Sequence, residues 1–308
     1  MRYLIFSLLQ ILILPFAHAQ GGNCANLSMY LTQPSHYMQS GSPTSAEFSV
    51  VVSANTMPGG CDYFLTFDYG SSSSFSSRSM KFSTFTWPYQ LSKDASGLQV
   101  LKSFPDVSSC GDVICDSLPA NSTYITKTNK YTLTIDNSND WRRAGIYYDT
   151  VTIRLYRGTP GSYTLRDTKT MNLTYQAHKR ADISVVPTGS NFNLNQTSHT
   201  LNFGSGMSTG MQRTADIILK YNAGCLLFGW SENGGKLKHS SLPDTINYTF
   251  NLNGTDISIP WWTQLATKSG ASPVNGSINP VKITIGNTNG KANGIYRDTI
   301  NLVVQSAE

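Results

Sequence analysis

Charged residues are scarce in this 308-residue chain, at 13% of the sequence against roughly 25% in an average soluble domain. This scarcity excludes a helical protein whose surface is covered by ion pairs. The 23 Lys and Arg exceed the 18 Asp and Glu by only five, and no run of four basic residues occurs. The chain therefore lacks the basic patch of a nucleic-acid-binding protein, and we expect no nucleic-acid partner.

Residue types common in catalytic and metal sites are also few. Histidine occurs five times and glutamate three times, and no His-Glu-x-x-His motif or phosphate-binding glycine loop is present. The cysteines form no Cys-x-x-Cys pair and have no histidine pair nearby, which argues against zinc. We therefore expect neither an enzyme nor a metal or other cofactor.

The first nineteen residues predict a signal peptide. They contain Arg2, an apolar stretch over 3–16 and the small-x-small site Ala17-His18-Ala19. The apolar stretch of about 14 residues is shorter than the roughly 20 that span a bilayer. We expect export to the periplasm and a mature chain that begins at Gln20.

Cysteines of an exported protein predict disulfides. Cys110 and Cys115 are separated by four residues that close easily into a ring, and Cys24 with Cys61 would tie the first strand to a later one. Cys225 has no partner in this scheme, and we expect it to be a buried apolar thiol.

Strand patterns cover almost the whole mature chain, because runs rich in β-branched and aromatic residues alternate with clusters of Gly, Pro, Asn and Ser. These patterns predict an all-β protein built from antiparallel, immunoglobulin-like sandwiches. The predicted strands of the first half are 46–54, a strand starting near Cys61, 130–135, 145–156 and 165–175, and the last strand of the chain is 300–304.

An internal repeat divides the chain. The segment 133–139 recurs at 283–289, and Gly-Ile-Tyr-x-Asp-Thr at 145–150 recurs at 294–299. Cys61 has a weaker counterpart in Cys225. The repeat predicts two related domains, at 20–177 and 178–308.

The two halves differ after the shared strand. The first half continues through a turn at 158–161 into a further strand, whereas the second half stops at Glu308. We expect the second sandwich to lack its last strand, which leaves an open groove bordered by Ile300, Leu302 and Val304. A strand from another protein can fill such a groove.

The two Gly-x-Tyr-x-Asp-Thr strands, with Leu201-Asn202-Phe203-Gly204, resemble the spore coat protein U-type domain, which builds archaic, Csu-type chaperone-usher pili. The two-domain order is similar to that of the tip adhesins of these pili. The resemblance implies a periplasmic chaperone, an outer-membrane usher and an adjacent strand-donating pilin subunit as partners. It also implies display at the pilus tip on the cell surface. Only four residues precede Cys24 in the mature chain, so we expect it not to donate a strand itself.

Three loops of the first domain predict the adhesive surface. In an immunoglobulin-like order, the loops after the strands B, D and F share the end that points away from the second domain. Apolar residues at their tips suit an abiotic or hydrophobic surface: Met57, Pro58, Phe104, Pro105, Val113, Ile114, Pro160 and Tyr163.

Other interpretations of the function and of single residues stay open. A lectin-like domain could stack a sugar on Trp87, Tyr89 or Tyr163, and a structural coat or matrix protein could assemble without adhesion. Trp261 and Trp262 suit burial or a chaperone contact better than a sugar site. The sequence does not place the aromatic cluster of residues 82–89. Four repeated residues are expected to be structural. Asp149 and Asp298 are expected to form hydrogen bonds, and Tyr147 and Tyr296 are expected at core or corner positions.

Overall fold

The computed structural model describes residues 26–55, 59–120, 123–137 and 141–307. Within them the chain forms twenty β-strands and one 3-10 turn over Phe75–Ser77. The predicted all-β fold of two sandwich domains is confirmed. No helix in this part of the chain could cross a membrane. The predicted signal peptide lies outside the described residues.

The first domain contains ten strands that form two layers. One layer has the order β1-β3-β8-β6 and the other β7-β4-β9-β10-β2, while β5 pairs with both β6 and β9 and so joins the layers. The strands are β1 Ser28–Leu31, β2 Ser35–Gln39, β3 Ser45–Ala54, β4 Cys61–Phe67, β5 Ser79–Phe82, β6 Phe85–Ser92, β7 Ile114–Leu118, β8 Ile125–Ile135, β9 Gly145–Thr159 and β10 Ser162–Ala177.

Alternation of side chains places the core of this domain between its layers. Along β9, every second residue from Tyr147 to Leu155 is buried, and the residues between them face outward. Trp87 and Tyr89 of β6 enter the same core, whereas Phe82 and Phe85 lie at the turn between β5 and β6. The aromatic cluster of residues 82–89 is therefore mainly a core element.

The second domain contains ten strands in two sheets. The larger sheet has the order β11-β12-β18-β15-β14-β19 with β16 beside β15, and the smaller one is β17-β13-β20. The strands are β11 Ala181–Val186, β12 Gln212–Tyr221, β13 Gly224–Ser231, β14 Lys236–His239, β15 Thr245–Leu252, β16 Thr255–Ile257, β17 Thr263–Lys268, β18 Ser277–Ile285, β19 Tyr296–Arg297 and β20 Ile300–Ala307.

The repeated sequence forms the same local structure twice. Gly145 and Gly294 have φ angles of 157° and 155°. A β-carbon would collide with the ring of Phe82 at the first position and with the ring of His239 at the second, which explains both glycines. The hydroxyl of the following tyrosine donates to a carbonyl four residues upstream: Tyr147 to Arg143 at 2.6 Å and Tyr296 to Ala292 at 2.9 Å. The predicted corner role of both tyrosines is confirmed.

Asn222 joins the two domains. Its backbone oxygen accepts a hydrogen bond from Ala144 N at 2.8 Å, and its side-chain oxygen accepts one from Arg180 N at 2.7 Å. Beside it, the ring of Trp141 packs against the guanidinium of Arg180 at 4.5 Å and the ammonium of Lys220 at 5.3 Å. These contacts fix the side of the first domain that faces the second.

Candidate functional site

The last strand of the second domain has an open edge. β20 pairs with β13 from Ser231 opposite Ile300 to Gly224 opposite Ala307. No strand of the described residues pairs with its other edge. The unpaired backbone groups of this edge can accept a further strand.

The first domain shows how such an edge is completed. There β9 pairs with β4 on one side and with β10 on the other, and β10 in turn pairs in parallel with β2. In the second domain the extended segment with Leu201 and Phe203 occupies the position of β2 in chain order. Both side chains pack against the second core, but no strand of the described residues pairs with their backbone. The position that β10 takes beside β9 is therefore not filled by a strand beside β20.

Burial differs between the equivalent strands. Val151, Ile153 and Leu155 of β9 are fully buried. Their equivalents Ile300, Leu302 and Val304 pack against the second core but remain half-buried. The three side chains thus face the second core but are incompletely covered, and their role in a groove for a donated strand stays a prediction.

Both repeated aspartates bind backbone and tyrosine donors at the end of the shared strand. Tyr89 donates to Asp149 at 2.7 Å and Tyr248 donates to Asp298 at 2.6 Å. Burial first, and then the adjacent carboxylate, raises the pKa of each tyrosine above its ordinary value, so both hydroxyls stay protonated donors. The hydrogen-bonding role predicted for the two aspartates is confirmed.

The strand ends of the first domain place three connections at one end. Ala54 pairs with Ile125, Cys61 with Leu118 and Tyr63 with Arg157, so the connections after β3, before β8 and after β9 lie together. Gly145 and Ala177, which pair with each other, lie at the opposite end beside the second domain. The loop end therefore points away from the second domain.

An aromatic cluster of four residues, Phe64, Phe104, Tyr156 and Tyr163, lies near this loop end on the outer side of the β4-β9-β10 layer. Phe104 stacks on Tyr163 with ring centroids 4.4 Å apart, and Tyr156 lies 5.1 Å from Tyr163. Tyr163 is 46% exposed, and Leu165 beside it is 50% exposed. Pro105 is exposed, while Phe104 and Pro160 are half-buried. These side chains form an apolar surface close to the tip.

Two predicted tip residues are placed differently from the expectation. Val113 is fully buried and Ile114 is half-buried against the first core, so neither is an adhesive tip. Ile114 pairs with Leu65 in the middle of β4, and the segment 93–113 folds back on itself along the same edge, where Lys102 O accepts from Phe67 N and Lys102 N donates to Asp112 O. Lys102 holds the fold-back through a 2.8 Å ion pair with Asp112, which keeps the pKa of that carboxyl well below its usual range.

The sequence did not identify Tyr156 or Leu165 as surface residues, because both lie within predicted strands. Their outward positions on β9 and β10 were the available signal. Met57 and Pro58 lie outside the described residues, so their predicted role stays untested.

The structure tests part of the predictions about the cysteines. The predicted bond between Cys110 and Cys115 is confirmed. Cys24 lies outside the described residues, so its pairing with Cys61 stays a prediction. Cys225 is a fully buried free thiol, as expected, and burial raises its pKa to about 11.

Trp87 and Tyr89 cannot stack on a sugar, because both are buried in the core, so this part of the lectin-like alternative is wrong. Trp261 and Trp262 are 79% and 56% exposed, which removes burial within the chain and leaves the predicted chaperone contact untested. Of the three proposed sugar platforms only Tyr163 presents an accessible ring.

One short motif matches a catalytic pattern without its structural context. Gly206-Met207-Ser208-Thr209-Gly210 fits Gly-x-Ser-x-Gly, whose serine requires a sharp turn between a strand and a helix. Here the residues form turns that lead into β12, and Ser208 O accepts a hydrogen bond from Met211 N at 3.1 Å. Ser208 is therefore not held as a nucleophile.

No protein-family model and no curated protein matches the chain. The resemblance to the spore coat protein U-type domain thus stays a prediction. Solved structures that are similar include the chaperone–tip adhesion subunit pre-assembly complex of archaic Csu pili from Acinetobacter baumannii, at 9% identity and a TM-score of 0.44, over 90% of this chain and 99% of that one.

A tip adhesin from Pseudomonas aeruginosa is similar at 11% identity and a TM-score of 0.38, over 92% of this chain and 95% of that one. A mutant CFA/I adhesin of enterotoxigenic Escherichia coli is similar at 13% identity and a TM-score of 0.38, over 90% and 93% of the two chains. Similarity at this level carries no weight for function.

Proposed function

We propose that this chain is a non-enzymatic adhesin at the tip of an archaic chaperone-usher pilus. Its second domain accepts a strand from a neighbouring protein, and its first domain binds a surface and so promotes attachment and biofilm formation. The observation that carries the proposal is the unpaired edge of β20 above the half-buried Ile300, Leu302 and Val304. A folded protein that leaves such an edge open is prone to aggregate unless a partner fills it.

The partners follow from this role. A periplasmic chaperone occupies the groove after export, an outer-membrane usher secretes the subunit, and an adjacent pilin subunit then supplies the permanent strand. The chain reaches the cell surface with the loop end of the first domain farthest from the groove.

The adhesive surface is the aromatic patch formed by Phe104, Pro105, Tyr163 and Leu165. The rings of Phe104 and Tyr163 support each other, so little side-chain freedom is lost on contact. Its exposed side chains are apolar or aromatic and carry no charge, which suits an abiotic or hydrophobic surface.

Purification tests the strand-accepting half of the proposal. Expressed in the periplasm together with the pilus chaperone, the chain is expected to purify as a 1:1 complex. Leu302→Asp, which places a charge in the groove, is expected to abolish the complex, whereas Val113→Ala in the first domain leaves it intact. A chain that purifies alone as a stable monomer contradicts this half of the proposal.

Attachment tests the adhesive half. Tyr163→Ser with Leu165→Ser removes two exposed apolar side chains, each worth roughly 1.5–3 kcal/mol when fully buried, and is expected to lower attachment to polystyrene at least tenfold. Attachment to clean glass changes less, and salt does not abolish binding, because screening acts on charges. A cell that attaches through many fibres loses less attachment than a single fibre does, so the attachment of single fibres is measured.

Tyr37→Ser is the matched control for attachment, since Tyr37 is 58% exposed on the same domain but lies near the second domain. Equal losses in both variants contradict the assigned patch. Loss of binding to a glycan array, with attachment to polystyrene unchanged, would assign the patch to a lectin-like function instead.

A further inference from the structure

The smaller sheet of the second domain exposes an aromatic face, formed by Phe228, Trp230, Trp262 and Val303. Phe228 and Trp230 point to the same side of β13, and Trp262 packs over both at centroid distances of 5.1 and 4.9 Å. Val303 of β20 lies opposite Phe228 and is 37% exposed. Trp262 itself is 56% exposed.

The first domain covers the same positions with its own chain. The strand pairings give the equivalent positions: Val303 of β20 corresponds to Arg154 of β9, so their partners Phe228 and Thr66 correspond, and in the same register Leu226 corresponds to Phe64. Both Phe64 and Thr66 are fully buried, and the rings of Phe104, from the segment 93–113, Tyr156 and Tyr163 lie over Phe64. Phe67 N donates to Lys102 O at 3.0 Å, and the ring of Phe104 lies 6.1 Å from Phe64.

In the second domain the equivalent connection, from the end of β15 to the start of β17, is shorter, and Trp262 is the residue that it places over Phe228 and Trp230. Phe228 and Trp230 stay half-buried although Trp262 lies over them, and Trp262 itself is more than half exposed. Two surfaces that the first domain covers internally are thus left open in the second: the strand edge and the outer face of the same sheet.

These two surfaces are continuous. Ile300, Leu302 and Val304 of β20 point into the groove, whereas Val303 between them points to the aromatic face. A strand added to the open edge extends the sheet, so its own outward side chains come level with Val303. A contiguous exposed patch of large apolar side chains is typical of a protein interface.

We propose that the pilin subunit that donates the permanent strand to β20 also covers the aromatic face, as Phe104 covers Phe64 in the first domain. This inference rests on the proposed function, since it needs a strand-donating partner. The partner carries an uncharged flank, rich in aliphatic or aromatic side chains, next to its donated strand. The assembly interface then has two parts, one in the groove and one over Trp262.

Photo-crosslinking in the full chain tests the proposal. A photoactivatable phenylalanine analogue is placed at Leu302 in the groove, at Trp262 on the aromatic face, or at Arg154 on the outer face of the first domain as control. Crosslinking is done on pili sheared from the native host, which separates them from the periplasmic chaperone, and mass spectrometry identifies each adduct. We expect the same polypeptide at Leu302 and Trp262 and no adduct at Arg154.

The possible outcomes separate this inference from the proposed function. An adduct at Leu302 alone, or different polypeptides at the two positions, overturns the inference and leaves strand donation standing. Absence of an adduct at Leu302 overturns both. With the partner identified, Trp262→Ser is expected to weaken its complex with the full chain at least tenfold, and Tyr148→Ser, a matched exposed aromatic of the first domain, to leave it unchanged. Equal affinities of the Trp262→Ser variant and the parent chain also overturn the inference.

Discussion

The last shared strands of the two domains, β9 and β20, differ in one neighbour. β9 lies between β4 and β10, and its inward residues are fully buried. β20 has only β13, and its inward residues Ile300, Leu302 and Val304 are half-buried although they are equally apolar and alternate in the same way. The pattern within a strand therefore sets which side chains point inward, while the neighbouring strand decides whether they are removed from water.

Separating the domains gives the largest expected difference. Residues 20–177 are expected to form a monomer that unfolds cooperatively, because β10 completes the first sandwich. Residues 178–308 are expected to aggregate or to be degraded, because the groove beside β20 stays open. Size-exclusion chromatography and calorimetry measure both. A monomeric, cooperatively unfolding second domain breaks the comparison.

A grafted strand is the matched rescue. Gly145 corresponds to Gly294, so Glu308 corresponds to Thr159, and a copy of Pro160–Ala177 appended after Glu308 places β10 beside β20. Full burial of the copied Met171 and Leu173 contributes roughly 3–6 kcal/mol together. We expect a monomer with a sharp transition. The same graft with serine in place of both apolar residues is the control and is expected to fail.

Equivalent core substitutions give the next largest difference. Ile153→Ala is expected to cost about 3 kcal/mol of unfolding free energy, because it leaves a cavity in a closed core. Leu302→Ala in the full chain is expected to cost about half as much, because the side chain is only partly removed from water. In the grafted variant its cost rises to that of Ile153→Ala. Urea denaturation measures all three, and equal costs without the graft contradict the open groove.

Acid is expected to lower the stability of the first domain, because a histidine is buried in its core. His36 stacks on Phe48 at 3.6 Å and hydrogen-bonds Tyr131 at 2.8 Å, and burial lowers its pKa from 6.5 to about 4. Above pH 6.5 the His36 imidazole is neutral in both the folded and the unfolded state. As the pH falls from 6.5 to about 4, only the unfolded state gains the proton, so about 3 kcal/mol of stability is lost.

The acid effect is measured as the unfolding free energy of residues 20–177 between pH 7 and pH 4. His36→Gln keeps a hydrogen-bonding group without a charge, and it is expected to be less stable at pH 7 but to flatten the profile. An unchanged slope in this variant shows that other groups cause the acid loss.

Reduction gives the smallest expected effect. Replacing Cys110 and Cys115 with serine reopens a short ring, which costs about 2 kcal/mol by the loop-closure relation. Reductant is therefore expected to lower the transition of the first domain but not that of the second, whose cysteine is a free thiol. Mass spectrometry of the unreduced chain is expected to show Cys24 joined to Cys61 as well. Any other pairing contradicts the disulfide scheme.

The fold was predictable because its signals are local. Strand alternation placed β3, β9 and β10 within a few residues of their ends, and the repeated Gly-Ile-Tyr located the corner tyrosines. The same alternation on β20 predicts that Ile300, Leu302 and Val304 face inward, and all three pack against the second core.

The binding surface was less predictable because it depends on contacts distant in sequence. Val113 looks like a loop tip, but it is buried where the segment 93–113 folds back beside β4, and this fold-back depends on residues distant in sequence. Trp261 and Trp262 present the opposite case. Their size suggests burial, yet no segment of the described chain covers them.

The strand β10 reaches from the loop end to the domain junction, with Tyr163 near one end and Ala177 at the other. Its 16 residues, at about 3.3 Å each, span about 53 Å in an already extended conformation. A pull between a surface held at Tyr163 and a partner held at β20 runs along this covalent backbone, which has almost no slack to release. The hydrogen bonds to β9 and β2 then bear load in shear and share it, instead of opening one after another.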